Sequence, residues 1–368
     1  MRRVLHVTDC YLPRLGGIEM HVSDLVAHQR AAGSDARVLT TTPDPDATDP
    51  AWVHRLPASG PLALDAAIAE VLAAQRPDVV HVHVSVWSPF ASIAARRAAA
   101  LGLPTLVTIH SLWTYLGPLP ALARGVLGLR DWPVHWSAVS DRAAGPIRAM
   151  LGPDVPVDVL PNAVDPADWR LPPALVDVPT LVTVGRLAWT KRPLALARML
   201  RDLRGRLPED MPVRAVVIGD GPQRPRLEAY LHRHGMADWV SVPGRLERSA
   251  IRDHLAAASV YVAPAVLESF GIAALEARCA GLPVVGSSRS GLGEFVTHGV
   301  DGLLADSDDG MVDALVELLT TPGLRADIAA HNRQVAPDLG WDVARARTDA
   351  LYDRAVLRAG DRRTAVAG

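Results

Sequence analysis

Thr180–Arg186 reads TLVTVGR: a short β-branched and leucine run, then a glycine, then a cation. Such a run, with a helical stretch rich in Ala, Leu and Arg behind it, fits a strand of a parallel sheet covered on both faces. The same unit recurs in both directions. Downstream lie VRAVVIGD (213–220), VSVPG (240–244), SVYVAP (259–264) and LPVVGS (282–287). Upstream lie RVLHVT (3–8), ARVLTT (36–41), DVVHVHV (78–84), PTLVTIH (104–110), HWSAVS (135–140) and VPVDVLP (155–161). Strand–helix alternation implies right-handed βαβ units, so the class is α/β. The rhythm stops and restarts across a Pro-rich stretch near 166–179, which marks a linker. The expected domains are therefore 1–168 and 169–340, each Rossmann-like. A final amphipathic helix over 341–368 is expected to pack back on the first domain, its tail GDRRTAVAG frayed. Ligands of such sheets bind at the carboxyl ends of the strands, here in a cleft between the domains.

Composition narrows the function. The chain has 368 residues, a formal net charge of −2 and 49% hydrophobic residues. That length suits two domains, and the charge argues against nucleic acid as the main partner. Cys10 and Cys279 have no metal-ligand or disulfide spacing, which fits a reducing compartment. The N-terminus has no signal-peptide pattern, and no apolar run approaches the ~20 residues that span a bilayer. A cytoplasmic protein is expected. No G-x-G-x-x-G and no P-loop occurs, which removes the strongest support for a dehydrogenase or an ATPase.

The strand ends carry the chemistry. Arg186, Lys191 and Arg192 form the densest cationic cluster at a strand end, beside a helix N-terminus that favours anions. Lys191 is the only lysine in the chain; the other 37 basic side chains are arginine. A compact ammonium with three donors suits a phosphate clamp, whereas a merely solvated basic face is the bland alternative. Gly16 and Gly17 follow the first strand and let the backbone approach an anion closely. In APAVLESFGIAALEARCAG (263–281), Glu268 falls in the loop after a strand. Ser269 is the expected N-cap of a helix over about 271–280, and Glu276 lies two turns in. The N–H groups of Phe270, Gly271 and Ile272 head that helix. Two carboxylates eight residues apart, at most about 12 Å on a helix, can bridge one extended ligand. A catalytic pair sharing one water would need closer packing.

Bland readings cover the rest. His81 and His83 share a strand face, but the sequence offers no third metal ligand. Asp44 and Asp46 have an Asp-x-Asp spacing that fits a solvated Pro-rich loop better than a metal–nucleotide site. LGPLPALARGVLGLRDW (116–132) reads as an ordinary packed helix, with an acceptor lid or a membrane-docking helix as the sharper readings.

ESFGIAALE (268–276), together with GGIE (16–19), VGRL…KR (184–192), GDGP (219–222) and PNAVD (161–165), resembles glycosyltransferase family 4. The resemblance runs from Gly16 to about Leu304, in order. Ala163 stands where the family often has glycine, and the SGLGEFV loop (290–296) matches loosely while keeping Gly291, Gly293 and Glu294. The resemblance implies the GT-B architecture and a retaining enzyme with no cofactor and no metal. It implies that Glu268 contacts the hydroxyls of the donor sugar, Glu276 the nucleotide ribose, and Arg186 with Lys191 the diphosphate. It places Gly16–Gly17 by the phosphates and the reacting carbon, and His110, after the fourth strand read above, near the sugar. The expected catalytic residues are thus Glu268, His110, Arg186 and Lys191. Gly16, Gly17, Arg245, Ser269, Phe270, Gly271, Ile272 and Glu276 complete the donor site, with GRLERSAIRDHL (244–255) under the base. The expected donor is a UDP-sugar, UDP-GlcNAc first, and the acceptor a lipid, inositol or small-molecule hydroxyl. A lipid-linked acceptor brings peripheral contact with the inner membrane face. A GDP-mannose-dependent mannosyltransferase is the nearest alternative. A sugar-nucleotide epimerase, an oxidoreductase and a noncatalytic sugar-nucleotide binder are the others.

Overall fold

The computed structural model describes residues 1–46, 49–113, 129–172 and 177–367. The chain divides into two compact units, Met1–Ala163 with Trp341–Gly368, and Val164–Gly340. The break therefore precedes the Pro-rich stretch. The helix Pro166–Trp169 packs on the helix Ile272–Cys279 of the second unit, burying Trp169 completely.

The first unit is a seven-stranded parallel sheet of β1 (Arg3–Thr8), β2 (Asp35–Thr40), β3 (Val53–Arg55), β4 (Val79–Val84), β5 (Thr105–Ile109), β6 (His135–Ala138) and β7 (Val157–Val159). Its order is β3-β2-β1-β4-β5-β6-β7. The second unit has six parallel strands: β8 (Thr180–Val184), β9 (Arg214–Ile218), β10 (Val240–Gly244), β11 (Val260–Ala263), β12 (Val284–Ser287) and β13 (Gly302–Ala305). Their order is β10-β9-β8-β11-β12-β13. In both sheets the strand order reverses once, between β1 and β4 and between β8 and β11. A crevice opens at such a point beyond the strand ends, because successive crossovers leave to opposite sides.

Most of the apolar runs identified in the sequence become inner strands, with β1, β4, β5, β6 and β12 the most completely buried, whereas VPVDVLP and VSVPG supply the edge strands β7 and β10. Two strands escaped that reading, VHR in β3 and GLLA in β13. Each is short and lies at a sheet edge, where hydrogen bonds from one neighbour hold it rather than its own side chains. The strand counted fourth from the sequence is therefore β5.

The last helix runs from Trp341 to Ala367, so the tail expected to fray continues the helix. It lies against β4, β5, β6 and the helix Gly17–Ala31. Tyr352 and Leu351 join a core cluster with Val4, Val79, Leu106 and Leu160. Trp341 and Ala344 pack with Leu25 and Ala163.

Candidate functional site

In the second unit the polar machinery surrounds the switch point between β8 and β11. Val184 ends β8, and the Tyr261 hydroxyl on β11 holds it twice, donating to its carbonyl at 3.1 Å and accepting from its N–H at 3.3 Å. Burial pushes that phenol far above its usual range, so it stays a neutral donor. The following Gly185–Leu187 backbone is clamped by the GDGP turn. Gly185 N–H bonds Ile218 O at 3.0 Å, Leu187 N–H bonds Asp220 O at 2.8 Å, and Gln223 N–H bonds Leu187 O at 2.8 Å. Glycine is required there: Gly219 has φ +137°, and a Cβ on it would collide with the carbonyl oxygen of Gly185. At Gly221, φ +151°, a Cβ would come within 2.7 Å of Leu187 O. A rigid turn so built presents Arg186 to solvent.

Lys191 ends a 3-10 turn, Trp189–Lys191, rather than starting the α-helix, which begins at Pro193. Its ammonium is paired with the Glu268 carboxylate. The pair is partly open, the side chains 39% and 16% exposed. Arg192 leaves the expected cationic cluster. In the left-handed region at φ +55°, it turns to grip Asp308 with both terminal nitrogens, at 2.8 and 2.7 Å, and Pro264 O at 3.0 Å.

Glu268 is fixed from behind. Gly291 N–H donates to its carbonyl at 2.9 Å, and a Cβ at Gly291 would run into the Ser269 carbonyl. This gives a physical reason for the glycine in SGLGEFV. Ser269 is not the N-cap. Gly271 is, at φ +97°, because the chain must turn through the left-handed region to enter the helix Ile272–Cys279. Leu275 N–H makes the first helical bond, to Gly271 O, at 3.0 Å. Phe270 packs its ring in the core against Phe295, centroids 5.3 Å apart, leaving only its backbone for a ligand. Ile272 opens the helix, half-buried, and Glu276 follows on its second turn, 16% exposed. Arg248 approaches Glu276 at 3.8 Å while its guanidinium lies over Trp169, 5.1 Å from the ring centroid. The sequence reading passed over Arg248, although it lies inside the stretch placed under the base. Arg245, three residues earlier, is exposed at the end of β10.

In the first unit Gly16 caps the helix Gly17–Ala31. Its φ of −176° is open to any residue, and a Cβ there would meet only the movable carboxylate end of Glu19, which is buried and paired with Arg14 at 3.0 Å. Asp9, unnoticed in the sequence, accepts from the N–H groups of Phe90 and Ala91, both at 3.0 Å, and so caps the helix after β4. His110 follows β5. Its N–H donates to Val84 O at 2.8 Å, and its ring meets His83 at 3.0 Å. Burial lowers its pKa to about 4, so the imidazole is neutral at ordinary pH.

The third histidine missing from the sequence reading is His6, which is paired in register with His81. Nitrogens of His6, His81 and His83 lie within 4.8 Å of one another, the one trio among the described residues spaced to hold a metal. All six ring nitrogens are nevertheless engaged in hydrogen bonds to Gln29, Tyr352, Thr108, His110 and each other. Asp44 accepts from Asp46 N–H at 3.2 Å, which is a loop turn. Most of the stretch 116–132 lies outside the described residues. Among the described residues no helix is long and apolar enough to cross a membrane.

Comparison with known proteins accords with this geometry. The family described as Glycosyltransferase Family 4 matches residues 15–168, and that described as Glycosyl transferases group 1 matches residues 172–335. A D-inositol 3-phosphate glycosyltransferase of Xylanimonas cellulosilytica is 31% identical over 312 residues, 76% of this chain and 73% of that protein. The GDP-mannose-dependent alpha-(1-6)-phosphatidylinositol monomannoside mannosyltransferase of Mycobacterium tuberculosis is 29% identical, over 94% and 97% of the two chains. A phosphatidylinositol N-acetylglucosaminyltransferase chain of Homo sapiens is 27% identical, over 96% and 76%. Among solved structures, Anabaena Alr3699/HepE in complex with UDP-glucose shares the fold at TM-score 0.78 and 18% identity, over 96% and 100%. With two Rossmann-like parallel sheets and the matched motifs at their strand ends, the chain belongs to glycosyltransferase family 4 and is a hexose-transferring enzyme of the GT-B fold.

Proposed function

We propose that the chain is a retaining transferase that moves a sugar, N-acetylglucosamine first among the candidates, from a UDP-sugar to a hydroxyl of an inositol-bearing acceptor. The observation that carries this reading is the pairing of Lys191 with Glu268 at the carboxyl ends of the strands flanking the second sheet's switch point. A ligand with both negative charge and hydroxyls can separate the pair. Diphosphate oxygens take the ammonium, and sugar hydroxyls take the carboxylate. Arg186 adds a second cation, Glu276 the ribose contact, and the N–H groups of 270–272 further donors. In the first unit, Gly16–Gly17 and His110 serve the phosphates and the sugar.

In the reaction, the bond from the anomeric carbon to the diphosphate oxygen breaks. The acceptor oxygen bonds that carbon on the same face, and the acceptor proton passes to the leaving phosphate. Negative charge grows on the diphosphate, where fixed cations lower the barrier with no metal ion.

The inositol-bearing acceptor is supported by the names of three relatives, which share that moiety, while two of those names carry different sugars, mannose and N-acetylglucosamine. A lipid-linked acceptor would bring the protein to a membrane surface as a peripheral enzyme. The test incubates the protein with UDP-GlcNAc, UDP-glucose or GDP-mannose, with and without EDTA, and with inositol phosphate or phosphatidylinositol vesicles. The expected result is UDP release and a glycosylated inositol, unaffected by EDTA. Turnover of GDP-mannose alone selects the mannosyltransferase reading, for which the M. tuberculosis relative speaks. Epimerised donor without transfer, or binding without turnover on any acceptor, would refute the transferase assignment of this substrate class.

A further inference from the structure

A buried chain of polar side chains threads the first unit and reaches His110. From one end, the Ser137 hydroxyl donates to Val107 O at 3.4 Å and shares a 2.8 Å bond with Thr108 Oγ1. Thr108 meets His81 Nε2 at 2.8 Å, and His81 Nδ1 meets the Tyr352 hydroxyl at 2.9 Å. Gln29 Nε2 donates to that hydroxyl at 3.1 Å, and Gln29 Oε1 meets His6 Nε2 at 2.7 Å. His6 Nδ1 meets His83 Nε2 at 3.0 Å, and His83 Nδ1 meets His110 Nε2 at 3.0 Å.

The proton positions follow from counting. A carbonyl only accepts, so Ser137 donates to Val107 and must accept from Thr108. Thr108 then accepts from His81 Nε2–H. A neutral imidazole has one proton, so His81 Nδ1 accepts from the Tyr352 hydroxyl, which in turn accepts from the Gln29 amide nitrogen. Gln29 Oε1 accepts from His6 Nε2–H, His6 Nδ1 from His83 Nε2–H, and His83 Nδ1 from His110 Nε2–H. The four imidazoles are all held neutral by burial, as the count requires.

We propose that this one-directional chain fixes His110 as the tautomer with its proton on Nε2 and Nδ1 as an acceptor, with Gln29 and Tyr352 as the positioning residues. An amide is the one link that cannot reverse without turning over, because its nitrogen only donates and its oxygen only accepts. Tyr352 holds it from the C-terminal helix. An acceptor nitrogen on His110 suits a donor sugar presenting a hydroxyl; this consequence rests on the reading of His110 given above, whereas the tautomer itself does not.

The experiment uses full-length protein with 15N-labelled histidine. Long-range nitrogen–proton NMR distinguishes protonated from bare ring nitrogens, with His110 assigned by His110→Gln. The expected spectrum has Nε2 protonated and Nδ1 bare at His110, His83, His6 and His81. A proton on His110 Nδ1 overturns the proposal, as does stoichiometric metal in the purified protein, since the nitrogens would then be ligands. In Tyr352→Phe the amide is released, so His110 should show averaged nitrogens. With half or less of the ring in the competent form, kcat for transfer should fall about two- to tenfold with donor KM unchanged. An unaltered His110 spectrum in that variant overturns the positioning role. A mixed tautomer with unaltered kcat leaves the chain standing and refutes the use of His110 on the sugar. Should Tyr352→Phe fail to fold, the wild-type spectrum alone decides the direction of the chain.

Discussion

Lys191→Ala separates a site for charge from a site for structure. The lost ion pair is partly solvated, with Lys191 39% and Glu268 16% exposed, so its removal should cost at most ~1 kcal/mol of stability. Transition-state stabilisation is another matter. A fixed donor aimed at charge that develops in the reaction is worth ~3 kcal/mol, or about 100-fold in rate. The same substitution leaves the Glu268 carboxylate without its cation beside an anionic donor, which weakens donor binding as well. Lys191→Arg keeps the charge but replaces a compact ammonium by a planar fork on a different reach, and should recover part of the rate, roughly tenfold below wild type. The assay is nucleotide diphosphate release from the preferred donor with acceptor present, alongside thermal melting. Retention of activity within threefold of wild type in Lys191→Ala would refute the clamp. So would a stability loss above ~2 kcal/mol, since the pair would then be structural.

Arg192→Ala should behave in the opposite way to Lys191→Ala, losing ~1 kcal/mol of stability with the Asp308 bonds and leaving donor KM within twofold; melting and donor titration read both. Gly219→Ala forces a Cβ into the Gly185 carbonyl and should lower stability by about 2–4 kcal/mol or displace the Arg186 turn; a denaturation midpoint and a raised donor KM report it, and a neutral result refutes the clamp by GDGP. Six buried histidines, at 6, 21, 81, 83, 110 and 135, have pKa values below the ordinary 6.5, those of His6 and His110 at about 4, chiefly through burial. Between these values the unfolded chain binds protons that the native one excludes, so the contribution is whole above pH 6.5 and is lost as pH falls towards 4. Each histidine costs at most ~1.4 kcal/mol per pH unit there, and a melting temperature flat from pH 7 to 5 would contradict this.

Much of the fold was legible because parallel strands buried on both faces are mostly apolar, and β1, β4, β5, β11 and β12 announce themselves that way despite their few polar members. β3 and β13 did not, since an edge strand of three or four residues owes its existence to its neighbour. The placement of Arg186 and Glu268 after strands and of Glu276 along a helix was legible, whereas Lys191 ends a 3-10 turn rather than opening the helix. Arg192 misled because charge alone does not tell which way a side chain turns; its left-handed backbone sends it to Asp308. Ser269 misled because a hydroxyl before a helix looks like a cap, whereas the turn needed a positive φ that only Gly271 supplies cheaply. The chain of His6, Gln29, His83 and Tyr352 was illegible for a different reason. Its directly bonded members lie up to 323 positions apart, and only the register of β1 against β4 and the return of the last helix bring them together.

That return has a consequence for how the protein is made. The second unit is one continuous stretch, Val164–Gly340, while the first needs Trp341 onward. During synthesis the ribosome releases everything required for the second unit before the first can close. The usual order, amino-terminal half first, is therefore inverted. Until the last helix emerges, Val4, Val79, Leu106 and Leu160 lack their partners Leu351 and Tyr352, and His81 lacks the Tyr352 hydroxyl, a vulnerable interval for aggregation and a natural point of engagement for chaperones.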